Sequence, residues 1–299
     1  MVKELLLTIR YKNLVILSLL FLCFEIFIYK KGIQTHFNYS AIYNYIIVLL
    51  TAAGGYVVND LFDKKGDILN EKRKFNVFTF NTLFLLYFIL SLTTISIATF
   101  FTSIPMQQLT CVAIISLLLY SWKLQHWPVI GNLVIALISG IVPLIVFIAH
   151  PELSSILKDP NTPIELLVDY IFILIYALFA FLTTLARELI KDMEDIEGDR
   201  AIQSKTLAVT AGIRFTKSLS LILLVMISLL LLVLLKDRKE MHFSTITAIS
   251  IILFLFFPIC IAGWKLTKAH TKKQFHLISN ILKLVIAGSI CVIMIHSYT

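Results

Sequence analysis

Apolar positions fall in nine long runs: roughly residues 13–29, 41–58, 77–100, 105–120, 129–149, 165–186, 216–235, 243–262 and 275–297. Each predicts a membrane-spanning helix, because a bilayer core takes ~20 apolar residues in helical form. The shorter runs must tilt or borrow from their flanks. Pro105, Pro128, Pro151 and Pro163 sit at run edges, where proline ends or opens a helix. Gly54 and Gly55, near the end of the second run, allow neighbouring backbones to approach closely. Gly/Ser linkers are absent. The expectation is an all-α integral membrane protein: one domain over residues 1–299, nine helices in a single bundle around a central cavity.

Composition sharpens that picture. Of 299 residues, 59% are hydrophobic and 15% charged, against about 45–50% and 25% in soluble domains. Mean hydropathy is +0.90. A soluble fold could not wet its surface with so few polar side chains, so an ordinary globular enzyme, a disordered chain and a disulfide scaffold are excluded. Cys23, Cys111, Cys260 and Cys291 lie in apolar runs without a CxxC pair, and are expected as small core residues. The start, MVKELLLTIRYKN, lacks a small-residue cleavage site after its apolar run, which predicts no removed signal peptide.

The net charge of +8 points to basic loops at a membrane surface rather than to nucleic acid. Nineteen of the 26 lysines and arginines fall on the side of the N-terminus and the even-numbered loops, six on the other, and Lys283 lies within a span. The positive-inside rule then puts the N-terminus and those loops in the cytoplasm. The seventh loop, with Lys236, Arg238 and Lys239, fits least well. The expected location is the cell (inner) membrane.

Nine of the 18 acids sit in two short stretches on that cytoplasmic side, 59–67 and 187–200. Asp60, Asp63 and Asp67 fall at i, i+3 and i+7; Asp192, Asp195 and Asp199 repeat the spacing, and Glu188 extends it back by four. On a helix each set shares one face. Like charges so placed repel unless a cation neutralises them. Two opposed faces would offer the hard oxygen ligands that Mg²⁺ takes while sharing its shell with phosphate. Lys72, Arg73 and Lys74 follow the first set, and Lys191, Arg200 and Lys205 surround the second. Acids interleaved with bases suggest a metal-bridged phosphate or diphosphate. The remaining acids look plainer: Glu25 is a lone carboxylate facing the bundle interior, and Glu152, Asp159, Glu165 and Asp169 belong to a solvated far-side loop and its helix start. The seven histidines, His126 and His150 among them, show no ligand spacing.

The pattern Asn59-Asp60-x-x-Asp63-x-x-x-Asp67, with Asp195-x-x-x-Asp199, resembles the signature pair of the UbiA superfamily of intramembrane prenyltransferases. Arg10 and Asn13 resemble the start of that family's first helix. Tyr120-Ser121-Trp122-Lys123, Pro128 and Gly131-Asn132 resemble its Tyr-Ser…Lys…Gly-Asn stretch, and Thr206-Leu207 with Gly212 the segment after its second motif. The second motif, Arg187-Glu188-x-x-Lys191-Asp192-x-Glu194-Asp195-x-x-Gly198-Asp199, resembles the digeranylgeranylglyceryl phosphate synthase branch. That branch joins geranylgeranyl diphosphate to geranylgeranylglyceryl phosphate. The chain departs from the family after Asn70, where the usual prolines are missing. It also departs at Gln203, where glycine is usual, and at Ala208, where proline is common.

The resemblance implies two Mg²⁺ ions held by Asp60, Asp63, Asp67, Asp192, Asp195 and Asp199. It implies that Asn59, Lys72, Arg73, Lys74, Tyr120, Lys123, Asn132, Arg187, Glu188, Lys191 and Lys205 line the substrates. The donor is a prenyl diphosphate; the acceptor is a lipid phosphate or, on the alternative reading, an aromatic ring. Tyr56 and Tyr120 are candidates to face the allylic cation. A terpene cyclase is the other reading within the superfamily. An ion transporter is the reading outside it, but its acids should sit at the midplane of broken helices rather than at span ends.

Overall fold

The computed structural model describes residues 2–31, 39–62, 78–150 and 163–299. These form α1 (Val2–Thr8), α2 (Tyr11–Lys30), α3 (Tyr39–Phe62), α4 (Phe80–Phe101), α5 (Ile104–Trp122) and α6 (Ile130–Ala149). There follow α7 (Ile164–Glu194), α8 (Ile196–Ala201), α9 (Leu207–Thr210), α10 (Gly212–Lys236), α11 (Thr245–Ile251), α12 (Phe257–Lys268) and α13 (Lys272–Tyr298). A five-residue π turn, Ile252–Phe256, joins α11 to α12 in one span. Among the described residues nine helical segments are long and apolar enough to cross a bilayer, and each coincides with one predicted run.

Local chemistry sets the ends. Thr79 caps α4 by accepting from the Thr82 amide, and Ser244 caps α11 by accepting from Thr247. Thr271 and Gln274 form a reciprocal capping box at the start of α13. The sixth run ends earlier in the sequence pattern than the helix does. Apolar residues thin out after residue 186, yet α7 continues to Glu194 and carries Arg187, Glu188, Lys191 and Asp192 on helical backbone.

α7 is the central element. It packs against α6, α10 and α13, and most of its apolar stretch is buried. The largest core joins it to α2 and α10–α13 through Phe24, Phe27, Ile173, Leu189, Ile190, Ile259 and Phe275. A second core, around Phe21, Tyr45, Ile47 and Met106, joins α2 and α3 to α5. Outward faces are as apolar as the interior: Phe84, Phe88 and Leu92 on α4 and Val225, Leu229 and Val233 on α10 are each more than half exposed. Water would penalise such faces by ~25 cal/mol per Å², whereas lipid tails cover them without cost.

Three expectations change. Only Cys23 is a core residue; Cys111, Cys260 and Cys291 are exposed. Asp169 is buried rather than solvated, with its carboxylate 3.9 Å from His296 Nε2. Glu25 does face the interior but is not alone, because Tyr45 donates to it and His150 Nε2 lies 2.7 Å from it. A polar group inside a bilayer needs such partners.

Candidate active site

Arg10 starts the site. Between α1 and α2 the backbone turns through a left-handed Arg10 (φ 51, ψ 53), which brings the guanidinium across to α3. There it donates to Asn59 Oδ1 at 2.9 Å, lies 3.7 Å from Asp60 Oδ1 and covers the ring of Tyr56 at 4.9 Å. Asn13 Nδ2 donates to the Tyr56 hydroxyl at 3.3 Å. Asp60 is 2% exposed, and a carboxylate so buried requires a counter-charge. Arg10 supplies one. The Tyr56 face, a candidate for an allylic cation, is thus taken by Arg10.

From Asn59 a hydrogen-bonded chain runs to the second motif. Asn59 Nδ2 donates to Gln125 Oε1 at 3.1 Å, and Gln125 Nε2 donates to the Ser121 carbonyl at 2.9 Å and lies 3.5 Å from His126 Nε2. His126 Nδ1 lies 3.2 Å from Ser204 Oγ, and the His126 carbonyl accepts from the Lys205 amide at 2.9 Å. Burial holds the His126 imidazole below its ordinary pKa, so it is neutral at pH 7. The tautomer that satisfies both contacts has Nδ1–H donating to Ser204 and Nε2 accepting from Gln125.

The second motif does not lie on one straight helix. α7 ends at Asp195, whose backbone (φ −96, ψ 3) leaves the α region before α8 begins at Ile196. Asp192 therefore belongs to α7, Asp195 to the junction and Asp199 to α8. Their spacing survives, but the shared helical face expected from it is bent at its middle member. Asn132 Nδ2 on α6 donates to Asp192 Oδ2 at 3.0 Å, and Thr206 Oγ1 donates to Asp199 Oδ2 at 3.0 Å. Glu188 is buried between Arg187 at 2.7 Å and Lys191 at 3.0 Å. Acids at the C-terminal end of α7 stand against the helix dipole, so the arrangement favours an added cation.

After α8 the chain turns at Gln203, in left-handed conformation (φ 58). The Ser204 amide reaches back to the Asp199 carbonyl at 2.8 Å, the bond pattern of a Schellman cap. This turn delivers Ser204 to His126 and Thr206 to Asp199.

The two arms are thus brought together, but not all candidates join them. Lys123 is exposed and stacks on Trp127 at 5.5 Å, and the Lys205 side chain is exposed while its backbone serves His126. Tyr120 lies near the end of α5. Asp63, Asp67, Lys72, Arg73 and Lys74 lie outside the described residues. Among the described residues no group of three or more acids, histidines or cysteines has its atoms placed to hold an ion. The donor set nevertheless suits Mg²⁺ chemically: carboxylates from two arms, with Asp60 beside Arg10, Asp192 oriented by the Asn132 amide and Asp199 by the Thr206 hydroxyl. Gln125, His126 and Ser204 were not expected as site residues. Their only sequence signal is polarity in short segments between apolar runs.

The fold is an all-helical membrane bundle in which Asn59 and Asp60 on one side and Asp192, Asp195 and Asp199 on the other are linked by a hydrogen-bonded chain. The chain belongs to the UbiA prenyltransferase family, whose model matches residues 14–282. A relative from Thermococcus kodakarensis, named digeranylgeranylglyceryl phosphate synthase, is 35% identical over 175 residues, covering 58% of this chain and 57% of that protein. The chain thus matches less than two thirds of that relative's length. A solved structure giving insight into digeranylgeranylglyceryl phosphate synthase in membranes aligns with a TM-score of 0.66 at 20% identity, over 99% of this chain and 98% of that one. A UbiA homologue from Archaeoglobus fulgidus bound to GPP and Mg²⁺ aligns with a TM-score of 0.56 at 14% identity, over 97% and 99%. At these identities the two structures speak to the fold.

Proposed function

We propose that this protein transfers a prenyl group from a prenyl diphosphate, geranylgeranyl diphosphate first, to a free hydroxyl of a lipid glyceryl phosphate such as geranylgeranylglyceryl phosphate. The observation that carries this reading is the hydrogen-bonded chain from Arg10 and Asn59 through Gln125 and His126 to Ser204, which ties two acidic arms over a hundred residues apart. The relative's printed activity supports the choice of acceptor, and the Mg²⁺ and GPP in a family member support the choice of metal and donor. Residues 1–299 act as one domain.

Asp60, Asp63 and Asp67 on one arm and Asp192, Asp195 and Asp199 on the other would hold two Mg²⁺ ions. When bound, Mg²⁺ offsets the charge that grows on the departing diphosphate. Asn132 and Thr206 keep the Asp192 and Asp199 carboxylates aimed, and Arg10 holds Asn59 and Asp60. Lys191, with Lys72, Arg73, Lys74, Lys123 and Lys205 from the loops, meets phosphate oxygens. The allylic C–O bond breaks and its electron pair leaves with the diphosphate. The acceptor oxygen bonds to the carbon and releases its proton. Apolar walls keep out the water that would otherwise take the acceptor's place. The arms face the cytoplasm of the cell membrane.

The test is a competition. Purified protein with labelled geranylgeranyl diphosphate and Mg²⁺ receives geranylgeranylglyceryl phosphate and a hydroxylated aromatic acid together, and products are identified by mass. The expected product is the di-prenylated glyceryl phosphate, lost on chelation of Mg²⁺. Prenylation of the aromatic acid alone would overturn the acceptor, and release of no diphosphate would overturn the reaction.

A further inference from the structure

Lys283 is an ionisable residue inside a span. It lies eleven residues into α13, ~16 Å from the start of that helix, and makes no hydrogen bond or ion pair among the described residues. Its side chain is partly buried within the span. Intramembrane charges without a structural partner mark ligand paths more often than packing.

The register of α7 and α13 shows what Lys283 faces. His276 Nδ1 on α13 lies 2.9 Å from Glu194 Oε1 at the end of α7. The helices run antiparallel, so seven residues along each from that contact come Lys283 and Arg187, on the same faces and at the same depth. α2 lies along α13 in parallel, with Lys30 over the Tyr298 ring at 4.7 Å and Phe27 against His296 at 5.6 Å. That offset puts Lys12 within one turn of the Lys283 level. Lys283, Arg187 and Lys12 thus stand at one level of the bundle. Arg187 spends one terminal nitrogen on Glu188, while its Nε is buried with no hydrogen-bond partner. Cations gathered at one level of a bundle repel one another, and an anion relieves them.

We propose that Lys283 and Arg187 form a second anion site that takes the phosphomonoester of the lipid acceptor. It lies ~7 Å deeper along α7 than Asp192. This rests on the transfer reading above and adds the acceptor's anchor to it. The aspartate arms and their metal take the donor's diphosphate; the deeper cations take a phosphate with no metal of its own. In a glyceryl phosphate the free hydroxyl sits no more than two carbons from the phosphoester. An anchor at this depth holds that hydroxyl beside the prenyl carbon, just below the diphosphate.

The experiment uses full-length protein in phosphatidylcholine nanodiscs, as wild type, Lys283→Met and Lys283→Arg. Two readouts are taken. One is turnover with geranylgeranyl diphosphate and Mg²⁺ against geranylgeranylglyceryl phosphate. The other is binding, without donor, of that acceptor and of geranylgeranylglycerol, which lacks the phosphate. Lys283→Met is expected to raise the acceptor KM about tenfold or more, the loss of one charge-assisted contact, with donor KM unchanged. It should also abolish the binding preference for the phosphorylated lipid, and Lys283→Arg should restore much of both. A variant that keeps the preference, or raises donor and acceptor KM equally, overturns the anchor. Lys283-dependent binding without turnover would overturn the transfer reading and leave the anchor standing. Binding of neither lipid by the wild type would overturn both.

Discussion

Asp195 occupies the break between two helices, where the backbone leaves the α conformation that carries Asp192. Asp195→Ala is therefore expected to cut turnover by about a hundredfold or more while leaving the protein folded, since one acid fewer relieves repulsion in the metal-free arm. Turnover of purified variant across a Mg²⁺ titration checks this; near-wild-type rate at millimolar Mg²⁺ would remove Asp195 from the ligand set. Gln203 carries a different strain. Left-handed backbone costs a residue with a Cβ ~1–2 kcal/mol, and glycine is the usual occupant of that position in a Schellman cap. Gln203→Gly should stabilise the protein by up to about 1 kcal/mol, the gain being trimmed by glycine's freer unfolded chain. Thermal unfolding in detergent measures it, and a fall in Tm would show that the Gln203 side chain does more than tolerate its φ.

At the scale of elements, spans and motifs differ in how far they can be read without coordinates. The nine apolar runs announce their helices because bilayer thickness dictates their length. α7 escapes that rule at its end: Arg187, Glu188, Lys191, Asp192 and Glu194 are charged, so average hydropathy falls away before the helix does. The Asn59–Gln125 and His126–Ser204 contacts depend on packing between segments 66 and 78 residues apart, which no local spacing encodes. Lys283 stood out only as a base within a span; its partner level on α7 needed the His276–Glu194 register. Gly131 illustrates how tightly such elements meet. A Cβ there would stand 2.7 Å from the Leu124 carbonyl oxygen and 2.9 Å from Gln125 Cα, so the turn carrying Gln125 and His126 must move. Gly140 meets α7 instead, with Phe181 Cβ at 3.0 Å. Both Gly131→Ala and Gly140→Ala should destabilise by about 1–3 kcal/mol, but Gly131→Ala should also depress kcat well beyond Gly140→Ala. Equal kcat losses at matched folded fraction would show that the Gln125 turn does not position the site.

For the whole molecule, orientation in the membrane is the property with the broadest consequences. With the nine crossings found among the described residues, the nineteen-to-six distribution of bases leads us to propose that the acidic arms face the cytoplasm. Glu240, in the α10–α11 connection, and Lys273, at the start of α13, are both exposed and lie at opposite ends of the bundle. In a background lacking the four native cysteines, Glu240→Cys should react with an impermeant maleimide on intact cells, and Lys273→Cys only after lysis. The reverse result would place the arms outside and overturn the cytoplasmic assignment.

The hydrogen-bonded chain from Arg10 to Ser204 also has a history in time. A ribosome adding 5–20 residues per second makes Ser204 roughly 7–30 s after Asn59. Over that interval Asn59 and Asp60 wait while Gln125, His126 and finally Ser204 are made. Arg10 is the exception, being synthesised before the carboxylate it neutralises. The order of the chain thus lets Asp60 enter the bilayer with a counter-charge already at hand, and defers closure of the arm-to-arm connection until six spans have been laid down.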